Sequence, residues 1–286
     1  VGSEMCIRDR KKSIYQAMFS RWSVLPMLVV AMTVVMTGPP RGARAAEQCV
    51  GALGQVPVTS TEALGSELEV LSWNIQKASN EGWAEDLAEI AGDIDLAFIQ
   101  EASIQARIGE AIPTPLVEAF AAGYTTAGQD TGVMTLSSSS PSLHCNFTAW
   151  EPWLGTPKAT SITQYPLADR SESLLTINLH AVNFAFGLEN FQQQFHALDS
   201  VLSNHEGPVI LAGDLNTWSG QRQTLVDEFM QKFGLGAVTF EPDLRTTAFG
   251  RALDHIYVRG FSAKAARVVP VSSSDHNPLR VRLAIN

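Results

Sequence analysis

The sequence predicts an α/β protein whose core is two sheets packed face to face and covered by helices. Three observations predict it. Segments of strand pattern and helix pattern interleave along the chain. Several strand segments follow one another with no helix between them, which disfavours a simple doubly wound sheet. Polar residues recur at the ends of the predicted strands, where open sheets gather their sites. No G-x-G-x-x-G follows the first strand, so a dinucleotide-binding fold is excluded. A chain of 286 residues, 45% hydrophobic and 17% charged, suffices for one large core.

The regular pattern starts at Glu67. Residues 68–75 alternate as a strand, and 81–91 place Trp83, Leu87 and Ile90 on one helical face. A short buried strand follows at 95–100, then a predicted helix at 117–122. Residues 131–136, 146–150 and 159–165 read as strands, with a serine-rich loop at 137–142. Residues 174–182 form a strand and 188–204 a helix. The apolar run 208–212 is too short for a helix and reads as a buried strand. A helix at 221–233 and strands at 254–258, 265–269 and 279–283 complete the order, without internal repeats.

Residues 1–45 read as an extension unrelated to the body followed by a signal peptide, with Met5 or Met18 as the start. Lys11, Lys12 and Arg21 precede an apolar run of 14 residues from Val24 to Thr37, and Ala43-Arg44-Ala45 comes after it. Basic, apolar, then A-x-A is the order of an export signal, and the run is short for a bilayer span. An uncleaved anchor is the alternative. Glu47 and Gln48 before Cys49 do not form a lipoprotein signal. Residues 46–66, rich in small and polar residues, read as a linker to the domain at 67–286. In an oxidising compartment, Cys49 and Cys145 are expected either to pair, tying this segment to the body, or to remain two thiols.

Seven of the 20 basic and two of the 29 acidic residues lie in 1–45, which leaves 13 and 27 in the rest, a net charge of −14. Such a body repels a nucleic-acid backbone over most of its surface. Phosphate chemistry stays open, because a carboxylate pocket holding a divalent cation is locally positive. Nothing in the sequence points to a protein partner, and a monomer is expected.

The polar strand ends are Asn74 in Ser72-Trp73-Asn74, Glu101 after Ile99-Gln100, and His180 in Asn178-Leu179-His180. They continue with Asp214 and Asn216 in Gly213-Asp214-Leu215-Asn216, Asp254 in Leu253-Asp254-His255-Ile256, and Asp275 and His276 in Ser274-Asp275-His276. Taken singly, each has a plain reading: a turn, a solvated strand end, a hydrogen-bonded core histidine. The ordered set resembles the endonuclease/exonuclease/phosphatase superfamily over residues 67–286, and the 180–184 and 248–251 segments look like a bacterial subgroup of it.

The resemblance implies a four-layered α/β sandwich, two packed mixed β-sheets flanked by helices. It also implies hydrolysis of a phosphoester with Mg²⁺ or Mn²⁺. Glu101 would bind the cation, helped by Asn74 and Asp275, since hard cations take oxygen ligands. His276 would act as base or hold the phosphate, with Asp254 orienting its ring. Asp214 would align the attacking water, Asn216 would bond the phosphoryl oxygen, and His180 would contact the phosphate. The choice of base between His276 and Asp214 stays open. Lys77, Arg251 and Asn183 are candidate substrate contacts, the first two equally readable as surface charges, and His255 reads as structural. Trp150 and Trp153, in the 143–158 segment, suit either the core or stacking on a base or lipid. The expected substrate is a phosphodiester, in nucleic acid or a phospholipid headgroup. The alternatives are a phosphomonoester of a soluble polyphosphate and a non-catalytic binding module.

Overall fold

The computed structural model describes residues 41–53, 63–126, 128–185 and 187–286, with side chains from Glu47 onward. The basic and apolar leader at 1–40, and residues 54–62 of the segment read as a linker, lie outside the described residues. Two six-stranded sheets carry the chain. The first is formed by β1 (Glu67–Asn74), β2 (Leu96–Ser103), β3 (Val117–Thr126), β4 (Gln129–Ser137), β13 (Phe261–Val268) and β14 (Leu279–Ile285), in the order β13-β14-β1-β2-β4-β3. The second is formed by β5 (Leu143–Ala149), β6 (Lys158–Pro166), β7 (Ser173–His180), β8 (Val209–Asp214), β9 (Gly236–Ala237) and β12 (Asp254–Arg259), in the order β5-β6-β7-β8-β12-β9. A two-residue ribbon, β10 (Thr247–Ala248) with β11 (Arg251–Ala252), stands apart.

Each sheet contains one parallel pair, β1 with β2 and β7 with β8, among antiparallel neighbours. A parallel pair needs a crossover, and a helix supplies it in both cases. The helix α2 (Trp83–Ile90) links β1 to β2, and α3 (Glu189–Ser203) links β7 to β8. A further helix, α4 (Gly220–Lys232), follows β8. The central strands are buried on both faces, and their period of two divides the side chains between layers. On β1, Leu68 and Val70 join Ile210 and Ala212 of β8 between the sheets, while Leu71 and Trp73 pack toward Leu87 and Ile90 of α2. On β8, Val209 and Leu211 pack outward with Phe195 and Leu198 of α3 and Phe229 of α4. The result is helix, sheet, sheet, helix: the four layers expected from the motifs.

Two local expectations are corrected. Residues 117–122 are not helical but form the first part of β3, paired antiparallel with β4 from Val117 to Thr126. β3 is an edge strand whose inward positions are alanines, Ala119 and Ala121, so its apolar alternation is faint and its alanine content reads as helix. Sheet pairing overrides that local propensity.

The linker segment also carries structure. The helix α1 (Arg41–Ala52) packs on β5 and α3, and Cys49 is buried there, bonded to Cys145 of β5 across a Cα–Cα distance of 5.8 Å. The disulfide closes a loop with a sequence separation of 96 residues, and closing a loop of that length removes about 4.7 kcal/mol of chain entropy from the unfolded state. Because α1 lies at one edge of the second sheet, breaking the bond releases this helix before it unsettles the sheets. Cys145→Ser is therefore expected to raise hydrogen exchange of the α1 amides by at least tenfold and to leave the amides of β7 and β8 protected; equal protection of α1 in the variant would show that packing alone holds it.

Candidate active site

The site is assembled by strand register. β8 lies between β7 and β12, and the pairing sets Asp214 directly opposite His180 on one side and Asp254 on the other. Gly213 makes this approach possible. Its φ is 148°, and a Cβ there would come within 1.9 Å of the Leu179 carbonyl oxygen. The Ser274–His276 turn is docked on the end of β1 by two hydrogen bonds and braced by one within itself. The Trp73 indole donates to the His276 carbonyl (2.9 Å), Ser274 Oγ donates to the Asn74 carbonyl (2.7 Å), and the His276 amide donates to Ser274 Oγ (3.1 Å).

His276 Nδ1 then lies 2.7 Å from Asp254 Oδ2, and its Nε2 lies 3.9 Å from Asp214 Oδ2. Asp214 is the most contacted group. Its Oδ2 accepts from Asn74 Nδ2 (3.1 Å) and its Oδ1 from the Asn216 amide (3.0 Å), while His180 Nε2 stands 3.5 Å from Oδ2. Asn216, at a left-handed φ of 48°, donates its carboxamide to the Ala181 carbonyl (3.0 Å).

Burial and mutual charge set the protonation states. Burial works against a charged His276, yet the Asp254 and Asp214 carboxylates outweigh it and hold the imidazole up at about 10. Burial raises Asp214 to about 6, with Asp254 adding to the shift and His276 offsetting part of it. Burial pushes His180 well below its ordinary value, and the cations Lys158, His276 and Lys77 push the same way. At neutral pH the site therefore holds a charged His276, an ionised Asp214 and a neutral His180.

The three expected cation ligands differ in their surroundings. Glu101 leaves the strand ladder at a bulge, with φ at 50°, and its Oε2 pairs with Lys77 Nζ at 2.9 Å. Asn74 bonds Asp214. Asp275 is exposed, and its carboxylate acts on His276 through charge. Among the described residues, the group whose ligand atoms lie within 4.8 Å of one another is Asp214, Asp254 and His276. Two donor sets are thus available. In the second, the charged imidazole is bonded to Asp254 and faces Asp214, and a cation would have to displace its proton. Glu101 with Asn74 offers hard oxygens, and the Lys77 ammonium on Glu101 shows that this carboxylate is placed to hold positive charge.

The remaining expected contacts are placed as follows. Asn183 is a tie point: its Oδ1 accepts from the Trp218 indole (2.9 Å) and its amide donates to Glu151 (2.9 Å). Arg251 is exposed, beside Gly220 at the start of α4. His255 is buried and structural, bonded to Thr217 Oγ1 at 2.7 Å. Trp150 and Trp153 are 57% and 60% exposed, which overturns their reading as core. Between them Glu151 turns inward instead, fully buried, and its carboxylate accepts from the amides of Asn183 and Phe184 and from Thr156 Oγ1.

Several residues essential to this geometry were not singled out from the sequence. Gln194 accepts from the Val182 amide (2.9 Å) and donates to the His180 carbonyl (2.9 Å), clamping the chain after the histidine. Its signal was available, since it is a polar residue on the apolar Phe191–Leu198 face of α3. Arg222, nearly fully buried, donates to the carbonyls of Val182 (2.7 Å), Asn183 (2.8 Å) and Asn216 (3.1 Å), with its guanidinium 4.5 Å from the rings of both Phe191 and Trp218. Lys158 is also buried, 3.8 Å from Glu151, and lines a small hollow with Glu101, Tyr124 and His180. Neither basic residue is distinguishable in sequence from a solvent-facing one.

The comparisons accord with this geometry. The profile of the Endonuclease/Exonuclease/phosphatase family matches residues 71–276, from β1 to the site histidine. The chain belongs to this family. A UPF0294 protein of Vibrio cholerae serotype O1 is 38% identical over 233 residues, 81% of this chain and 83% of the relative. Two solved structures share the fold. The mannosyl-6-phosphatase of Bacteroides thetaiotaomicron is 18% identical with a TM-score of 0.57, covering 76% of this chain and all of that one. The human Nocturnin catalytic domain with bound sulfate is 14% identical with a TM-score of 0.56, covering 79% and 97%. Members of the endonuclease/exonuclease/phosphatase family are metal-dependent hydrolases of phosphoesters.

Two measurements check the site. Imidazole nitrogen NMR through a pH titration is expected to find His276 doubly protonated up to about pH 10 and His180 neutral down to well below 6.5. Arg222→Gln is expected to lower unfolding stability in urea by about 3 kcal/mol, because buried carbonyls of both site loops lose their donor. A change under 1 kcal/mol would mean that water replaces the guanidinium.

Proposed function

We propose that the protein is an exported, divalent-metal-dependent phosphodiesterase. The observation that carries the reading is the buried arrangement of a charged His276 on Asp254 beside an ionised Asp214, with ligand atoms within 4.8 Å of one another at the ends of neighbouring strands. An imidazolium and an ionised carboxylate side by side can hold a phosphoryl oxygen and take a proton from water in one step. Since His276 is held in its charged form, Asp214 is the proton acceptor. His276 faces the phosphoryl group, and Asp254 keeps its ring turned with Nδ1–H inward. Asn216 spends one carboxamide N–H on Ala181 and keeps the other for the phosphoryl oxygen. Neutral His180 supplies a further polar contact without competing for charge. A Mg²⁺ or Mn²⁺ ion on Glu101 and Asn74, with Asp275 bonding through water, would offset charge on the phosphoryl oxygens.

The diester reading is supported by the rim. Trp150, Trp153, Phe184 and Phe249 are exposed; Glu151 ties the loops of the first three, and Phe249 packs on Trp218 at 6.0 Å. Apolar faces on these three loops suit a phosphate with an organic group on each side. The body's net charge of −14 supports recognition near the cleft over a long polyanion gripped along the surface. A phosphomonoesterase is the second reading, favoured by the shared fold of the mannosyl-6-phosphatase. Export is supported by the basic, apolar, A-x-A order and by the Cys49–Cys145 disulfide, which persists in an oxidising compartment.

The test compares bis(p-nitrophenyl) phosphate, p-nitrophenyl phosphate, supercoiled plasmid and phospholipid vesicles, each with Mg²⁺ or Mn²⁺ and with EDTA. Diester cleavage is expected to vanish in EDTA and to fall at least 10²-fold in His276→Ala. The rate is expected to rise as pH climbs through about 6, when Asp214 loses its proton, and to fall toward about 10, when His276 loses its own. Cleavage of the monoester alone would replace the diester reading with the second one.

A further inference from the structure

Glu101 is paired with a side-chain cation. The Lys77 ammonium lies 2.9 Å from its Oε2. Both partners stand on left-handed backbone. Lys77, at φ 63°, lies between Gln76 at 49° and Ala78 at 54°, and Glu101 is at 50°. Such conformations disfavour residues with a Cβ and persist only where their surroundings impose them. Here two imposed features meet. Asn74 Oδ1 accepts from the Gln76 amide (3.1 Å) and starts the turn that carries Lys77 back toward β2. The register shift between Gln100 and Ala102 pushes Glu101 out of the ladder toward it.

A divalent cation held by Glu101 would take the carboxylate that Lys77 pairs with. An ammonium on the same carboxylate would then face a double positive charge at close range, in a half-buried place where water screens it poorly. We propose that Lys77 is a built-in competitor of the divalent cation at Glu101. It occupies the carboxylate in the metal-free protein, is displaced as the cation binds, and so lowers the affinity for metal. A phosphate group that takes up the displaced ammonium removes the competitor, so cation and phosphate favour each other's binding. The proposal rests on the reading that Glu101 is the metal's carboxylate.

The test is Mn²⁺ binding to the full chain, followed by calorimetry and by the electron paramagnetic resonance of free Mn²⁺, for the wild type, Lys77→Met, Lys77→Arg and Glu101→Gln. Circular dichroism checks the fold of each, and Lys77→Gln replaces Lys77→Met if the latter does not fold. Lys77→Met is expected to bind Mn²⁺ about three- to fivefold more tightly, as suits removal of a partly exposed ion pair. Lys77→Arg is expected to stay close to the wild type, and Glu101→Gln to lose binding. Unchanged or weaker binding in Lys77→Met, with Glu101→Gln still defective, would overturn the competition and leave Glu101 as the ligand. Wild-type binding in Glu101→Gln would overturn both, since the cation would then lie elsewhere.

Discussion

The site depends on the pairing of three neighbouring strands. β8 runs parallel to β7 and antiparallel to β12, and in that register His180, Asp214 and Asp254 stand in one row. A slip of one residue would turn every side chain of β8 to the opposite face, taking Asp214 from the cleft and burying the wrong set in the core. The register is secured by apolar layers on both faces of β8, Ile210 and Ala212 toward the other sheet and Val209 and Leu211 toward the helices. Gly213 is the local condition for it, since a side chain there would meet the Leu179 carbonyl. The core thus positions His180, Asp214 and Asp254 directly, while His276 arrives on a turn docked against β1.

Enclosure makes the charges in that row act on one another. In water the His276 imidazole and the Asp214 carboxylate would keep close to their ordinary titrations. Here burial penalises each charge alone, and the group keeps charge only by sharing it. His276 stays protonated because two carboxylates lie beside it, and Asp214 rises because it is buried next to Asp254. The outer supports obey the same rule. Arg222 is buried against carbonyl oxygens and two aromatic rings, and Glu151 against backbone amides, so each charge is met by polar groups belonging to the loops it must hold.

Much of this was legible in the sequence because the residues that react lie at the ends of strongly patterned strands. Asn74, Glu101, His180, Asp214 and Asp254 each end or begin an apolar run, and the runs themselves declare the sheets. Other parts left little trace. β3 offers alanines where a sheet usually offers branched side chains, so its strand character comes from β4 rather than from its own sequence. α1 follows from docking at Cys145, which is 96 residues away. Arg222, Lys158 and Glu151 look like surface charges, since burial of a charge is decided by groups distant in the chain. Trp150 and Trp153 suit core or surface by sequence, and they are exposed while Glu151 between them turns inward.

By itself, the sequence determined the layered α/β class, the strands and helices with strong periodicity, and the list of polar residues from which the site is drawn. These are local properties, set by spacing along the chain. The tertiary structure alone decided which of those residues meet. It put His276 on Asp254 and both near Asp214, gave Glu101 to Lys77, and left Asp275 in solvent. The reason is that contact and protonation depend on register, burial and neighbouring charge, and all three arise only when segments far apart in sequence are packed together.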